Sequence, residues 1–382
     1  MSKSLGLLFL FGILSITRIG FAVDGGYDRG FYLLSDDKNF RFKFNIQIQP
    51  RHEYVSKEAA LDVNTFGLSR MRTYFTGHSF SPKFKYALTV EFNKGAGIRD
   101  GLVDLNLADY FKIRAGRYYI PINREDSYSA TGMQLIDVSI VSYHFGVNRD
   151  YGLQFSGNIV KPVTYYVFVA NGGGNDPAGA GGNQNKEMLV GTRLEVVPIG
   201  SIPGYQGDYD MSETPNVGLG GTILYDMGAD QETEGFKELT EQQIDPLEDK
   251  LLRGDLDGSF AWHGFSFMGQ WQFAYNTVFR TVDQGVMGQT GLFILPKKLE
   301  IAGRWSTVLP DFPFPALAQT GITKTGSEIG TGIPVHEVVG GINLYFKGHD
   351  LKLQMDYSQI FNVNGVRNIN DQKVRTQLTF VF

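Results

Sequence analysis

Residues 265–276 read Phe-Ser-Phe-Met-Gly-Gln-Trp-Gln-Phe-Ala-Tyr-Asn, and their alternation decides the fold class. Phe265, Phe267, Gly269, Trp271, Phe273 and Tyr275 share one face of an extended chain. Ser266, Met268, Gln270, Gln272, Ala274 and Asn276 share the other. A period of two with large aromatics on one side describes a strand whose faces meet different media. Three more stretches repeat it: Phe40/Phe42/Phe44/Ile46/Ile48 against Arg41/Lys43/Asn45/Gln47/Gln49, Phe84/Tyr86/Leu88/Val90/Phe92 against Lys85/Ala87/Thr89/Glu91/Asn93, and Leu351/Leu353/Met355/Tyr357 against Lys352/Gln354/Asp356/Ser358. A soluble sandwich alternates in the same way, so the pattern alone leaves open a lipid-facing wall and a protein core.

The connections separate the two. Strands read at 40–54, 64–78, 82–94, 99–108, 111–119, 150–159, 163–171, 187–197, 216–226, 251–263, 265–278, 288–295, 298–307, 335–346, 350–361 and 373–382, sixteen in all. The joins at one end are short: Ser79-Phe80-Ser81, Asp109-Tyr110, Val160-Lys161-Pro162, Gly264, Pro296-Lys297 and Lys347-Gly348-His349. Those at the other end are long, at 120–149, 172–186, 227–250 and 308–334. Tight turns at one rim and long loops at the other are the habit of bacterial transmembrane barrels. The exception is 198–215, long at the short end. The expected fold is therefore all-β, a transmembrane antiparallel β-barrel of about sixteen strands over residues 40–382, with short periplasmic turns and long external loops. In 64–78, Phe66 and Leu68 share a parity with Arg70 and Arg72 whereas Met71, Thr73 and Phe75 have the other, which predicts a bulge near Ser69.

The two ends carry their own signals. The sustained apolar stretch from Leu5 to Ile16 is too short for the ~20 residues of a membrane-spanning helix. With Lys3 before it and Gly20-Phe21-Ala22 after it, residues 1–22 read as a secretory signal peptide cut after Ala22, followed by a short lead-in at 23–39. At the other end Leu378, Phe380 and the terminal Phe382 fall on one face, the form of a signal for barrel-assembly machinery. The formal charge of -5, made more negative by loss of Lys3 and Arg18, argues against a nucleic-acid partner. The absence of cysteine rules out a disulfide scaffold and any thiolate metal site.

Against this background the stretch Phe66-Gly-Leu-Ser-Arg-Met-Arg-Thr-Tyr-Phe-Thr-Gly77, followed by Lys83-Phe-Lys-Tyr-Ala-Leu-Thr-Val-Glu-Phe92, resembles the phosphate-selective porins O and P. Ile113-Arg-Ala-Gly-Arg-Tyr-Tyr-Ile-Pro121, Gly291-Leu-Phe-Ile-Leu-Pro-Lys-Lys-Leu-Glu-Ile-Ala-Gly-Arg304, Gly341-Ile-Asn-Leu-Tyr-Phe-Lys-Gly-His349 and Leu353-Gln-Met-Asp-Tyr357 agree in order, through most of the chain after the signal peptide. Each piece is short and strand-like, so the specificity lies in their collinear order. The resemblance implies a sixteen-stranded barrel of the bacterial outer membrane, trimeric in its usual form, that passes small hydrophilic solutes. The partners it implies are outer-membrane lipid and lipopolysaccharide, the assembly machinery, two further copies of the chain, and small solutes or anions. No cofactor is called for.

In such barrels the third external loop narrows the lumen, and here that loop is 120–149. Charges in a narrow passage act on an ion more strongly than the net charge of the whole protein. The constriction candidates are Lys112, Arg114, Arg117, Arg124, Glu125, Asp126 and Arg149, with Lys112, Arg114, Arg117, Arg124 and Arg149 as a basic track for anions or as rim charges paired with Glu125, Asp126 or Asp150. The family's phosphate-binding arginines are not carried over, because no basic-rich loop motif matches them position by position. The acidic run within 226–257, from Asp230 to Asp249, reads as a solvated external loop, or as a site for divalent cations that bridge lipopolysaccharide.

Catalysis finds little support. His52, His78, His144, His263, His336 and His349 lack metal-ligand spacing, and Ser142 lies two residues from His144 but on the lumenal loop, away from a lipid substrate. Gly172-Gly-Gly174 and Gly179-Ala-Gly-Gly182 lack the strand-to-helix setting of a phosphate loop. The competing reading is a non-conducting barrel that serves as adhesin, receptor or scaffold.

Overall fold

The computed structural model describes residues 23–93, 95–172, 187–227, 250–277, 280–311 and 332–382. The proposed signal peptide, the acidic run 230–249 and the glycine stretches from 173 onward lie outside the described residues. A hairpin of β1 (Val23–Tyr27) and β2 (Phe31–Ser35) comes first. Sixteen longer strands follow: β3 (Arg41–Lys57), β4 (Val63–His78), β5 (Phe84–Glu91), β6 (Gly97–Ala108), β7 (Phe111–Tyr119), β8 (Arg149–Val160), β9 (Val163–Ala170), β10 (Leu189–Ile199), β11 (Asn216–Asp226), β12 (Leu251–Trp262), β13 (Phe265–Asn276), β14 (Thr281–Leu295), β15 (Leu299–Leu309), β16 (Val335–Lys347), β17 (Leu351–Phe361) and β18 (Asp371–Val381). Each pairs antiparallel with the next, and β18 closes on β3 in the register Asp371↔Lys57 to Val381↔Gln47. The molecule is a closed sixteen-stranded antiparallel barrel.

Closure leaves no edge, so the backbone N–H and C=O groups of the wall are paired within it. Lipid offers them no other partner, and each unpaired group there costs several kcal/mol. The side chains then sort by medium. Phe267, Leu256, Ile301, Trp305, Ile342 and Met355 stand exposed on the outside, while Gln47, Gln49, Gln272, Gln289, Gln354 and Gln377 are almost wholly buried inside. A soluble protein has the opposite arrangement. Polar groups within and apolar groups without define a transmembrane barrel with a polar lumen.

The strands match the alternation closely, with two departures. β14 begins at Thr281 rather than 288, because 281–287 carries Asp283, Gln284 and Gly285 and so alternates only weakly, yet pairs continuously with β13 from Asn276↔Thr281 onward. The lead-in 23–39 contains the β1–β2 hairpin, whose second strand pairs with the start of β3 from Phe31↔Phe44 to Leu34↔Arg41. There β2 takes the lane that β18 vacates, since Phe382 exchanges backbone bonds with Ile46 just beyond β18. The expected bulge near Ser69 is present. Gln49 pairs with Arg70 and Pro50 with Leu68, leaving Ser69 as the extra residue. Before it Phe66 and Leu68 point outward; after it Met71 is exposed and Arg72 is buried.

Candidate functional site

The connection 120–149 carries eight large apolar residues that a solvated loop would not hold: Ile120, Ile122, Met133, Leu135, Ile136, Val141, Phe145 and Val147 are all buried. They are buried inside the barrel. Ile120, Ile122 and Val147 pack on Phe168, Leu189 and Leu224, inward residues of β9, β10 and β11, and Val141 and Phe145 pack on Met268, Met287 and Val308 of β13 to β15. Where the loop lands, the inner wall is locally apolar. Two short helices shape it. In Arg124–Ser127 the cap Asn123 accepts the amide of Asp126 through Oδ1 at 2.7 Å, and in Ile140–Phe145 the cap Ser139 accepts the amide of Ser142 at 3.1 Å.

Polar anchors tie the loop around the wall from β10 to β18 and on to β3. Arg124 Nε donates to Asp257 on β12 at 2.7 Å. Glu125 accepts from Arg304 on β15 at 3.2 Å and from the Ser139 amide at 3.0 Å. Lys352 on β17 donates to the Met133 carbonyl at 2.7 Å, and Asn343 on β16 to the Gln134 carbonyl at 2.8 Å. Asp137 receives Arg51 of β3 at 2.9 and 3.1 Å and also pairs with Arg375 of β18. These cations hold the Asp137 carboxyl well below the usual carboxylate range.

A series of arginines lines the wall from β3 to β8. Arg70 stands within electrostatic reach of Arg51 and Arg72, and Arg99 of Arg72 and Arg149. Their carboxylate partners are fewer: Glu91 meets Arg72 and lies 4.0 Å from Arg99, Asp100 meets Arg149 at 2.6 Å, Asp137 is shared, and Glu53 lies 3.9 Å from Arg51. Arg99 keeps a third of its side-chain surface exposed. Across the lumen Arg193 and Arg124 sit among three carboxylates, Glu195, Asp255 and Asp257.

The seven constriction candidates are distributed around the inner wall. Arg124 lies on the β10–β12 side, buried against Asp257, while Arg149, its would-be partner in the basic track, pairs with Asp100 on β6, six strands from β12. The Asn123 cap turns the chain there, which no local charge pattern announces. Arg114 is held by Asp104 at 2.7 and 2.9 Å, and Lys112 sits opposite Asn106 and Ser156. Arg117 is buried with its guanidinium 5.5 Å from the Tyr151 ring. Glu125 is a structural anchor. Asp126 lies beside Tyr119, and burial with the neighbouring Glu125 charge pushes its carboxyl up to about 7. Sequence reading missed Arg51, Arg70, Arg72 and Arg99. Arg51 continues the polar parity of Lys43 to Gln49, and Arg70 and Arg72 follow from the Ser69 bulge.

Other candidates are placed as follows. Ser142 accepts a hydrogen bond from Gln270 at 3.0 Å, and His144 faces Asp283 at 3.2 Å, each on a different lumenal partner. Among the described residues no group of three or more His, Asp or Glu side chains is arranged to hold a metal ion. Asp226, Asp255 and Asp257, which close the acidic segment at its ends, are not in a solvated loop but buried on the inner wall. Phe380 faces outward, its ring centroid 5.0 Å from that of Phe382.

Solved outer-membrane proteins share the barrel fold. OprB of Pseudomonas putida superposes with a TM-score of 0.61 at 12% identity, covering 89% of this chain and 94% of that one. An anion-selective porin from Comamonas acidovorans gives 0.58 at 11%, covering 90% and 100%. Salmonella typhi OmpF gives 0.57 at 12%, covering 94% and 100%. At these identities the likeness is one of fold. No family model matches this chain. No curated protein matches it either.

Proposed function

We propose that this chain is a bacterial outer-membrane porin, exported with a cleaved signal peptide, that lets small hydrophilic solutes diffuse passively through each protomer and catalyses no reaction. The observation that carries the reading is the loop 120–149, folded inside a closed barrel and fastened from β12 round to Arg51 of β3, with Arg72, Arg99 and Arg149 farther along that wall. Such an arrangement narrows a channel without filling it and gives it a charged face. The preferred solutes are anions, since Arg51, Arg70, Arg72, Arg99 and Arg149 outnumber the carboxylates they share. The printed description of the Comamonas acidovorans structure as anion-selective supports the same direction. Phosphate is within this class on the resemblance to the phosphate-selective porins. A homotrimer rests on that resemblance and on one solved neighbour, an OmpT of Vibrio cholerae described as a trimer form. Leu378, Phe380 and Phe382 serve as the assembly signal.

Two readouts test this. In planar bilayers the purified protein is expected to give discrete conductance steps arriving in groups of three. In liposome swelling, uncharged sugars are expected to enter at rates that fall with size. Folded barrel that neither conducts nor admits sugars would move the reading to a non-conducting adhesin, receptor or scaffold.

A further inference from the structure

The long connection at the short-turn end has no counterpart among its neighbours. Two to five residues suffice to join antiparallel strands, yet sixteen, 200–215, separate β10 from β11. They turn back into the lumen: Gln206 and Asp208 are almost wholly buried. The amide of Gln206 donates to the Gly132 carbonyl at 2.8 Å, and its side-chain oxygen accepts the Gln134 amide at 3.0 Å and Gln289 of β14 at 2.9 Å. Asp208 closes the turn on itself and the wall, accepting from Ser212 and, at 2.7 Å, from the amide of Gly264. Tyr209 packs 5.2 Å from the Tyr345 ring, and Tyr205 4.5 Å from His349.

The fit depends on two glycines. Gly207 has φ +82, and a Cβ there would lie 2.6 Å from Glu300 Oε1. A Cβ on Gly132 would lie 2.8 Å from Tyr205 Cβ. The tip of the third loop is therefore clamped between the wall residues Lys352, Asn343 and Gln354 and this turn.

We infer that the turn 200–215 is a second specificity-determining element of the channel, a floor under the constriction loop that sets the size limit jointly with it. Loop and turn enter from opposite rims and meet at Gly132, Gln134 and Gln206 to form one ledge on one side of the lumen. The inference rests on the porin reading above, and it assigns Gln206 the role of joining the two.

The test uses the full-length barrel in planar bilayers, with folding checked by heat-modifiable gel migration. A variant with 202–213 replaced by a short Asn-Gly turn is expected to raise single-channel conductance about twofold, as when one of two stacked constrictions is withdrawn. It is expected to admit sugars that the parent excludes and to keep the sign of its reversal potential. Gln206→Ala, which leaves the turn in place, is expected to fold and to add frequent sub-level transitions as the loop tip loosens. A conducting parent with a shortened variant of unchanged conductance and exclusion overturns the inference. So does a quiet Gln206→Ala trace if the shortened variant fails to fold. A parent that does not conduct overturns the porin reading, and this inference with it.

Discussion

Asp126 is a residue whose chemistry changes near neutral pH. Its carboxylate accepts from Asn123 Nδ2 at 2.7 Å but sits beside Glu125 in a buried setting, which pushes its pKa up to about 7. Folded chain therefore keeps a proton that unfolded chain has released between the ordinary carboxylate value and about 7, so its contribution to stability falls as pH rises through that window. The same step adds a negative charge to the loop 120–149 itself. Anion preference, read as reversal potential, is expected to weaken between about pH 5.5 and about pH 8.5, and Asp126→Asn to flatten that dependence. A parent profile as flat as the variant's would remove Asp126 from the conduction path. The burial of Asp126 was not legible in the sequence, which supplied its candidacy through position alone. Arg124, one residue away from Glu125, shows the same limit: the direction in which a cap turns a loop is set by tertiary contacts with Asp257.

Among the elements, the constriction loop depends on a few buried charges. Glu125 is fully buried and accepts from Arg304, the Ser139 amide and the Ser139 hydroxyl. Glu125→Gln is expected to cost on the order of 3 kcal/mol, at the low end for breaking a buried pair because Glu337 remains on Arg304. It would be seen as a lower midpoint for heat unfolding in detergent and as noisier single-channel traces. An unchanged midpoint with quiet channels would show that the apolar residues alone hold the loop. The strands themselves were far more legible than the loop. Lipid outside and a polar lumen inside write period two into every wall segment, and even the Ser69 bulge shows as a parity conflict between Phe66 and Arg70. The β1–β2 hairpin escaped because five-residue strands containing Gly25 and Gly26 leave too little alternation to read. The eight buried apolar residues within 120–149 are the one sequence feature that marks that loop as inward-folded.

For the whole molecule, the proposed pore would run inside a barrel whose inner wall carries the arginines of β3 to β8, with the loop 120–149 fastened from β12 round to Arg51 of β3. Low-dielectric surroundings make such charges count for more than the overall formal charge of -5. The most direct measurement is the zero-current potential of the parent barrel across a potassium chloride gradient, compared with the double variant Arg70→Gln/Arg99→Gln. A water-filled pore with an arginine face predicts chloride preference in the parent and a shift toward potassium in the variant. Potassium preference in the parent, or a variant whose potential does not move, would contradict it.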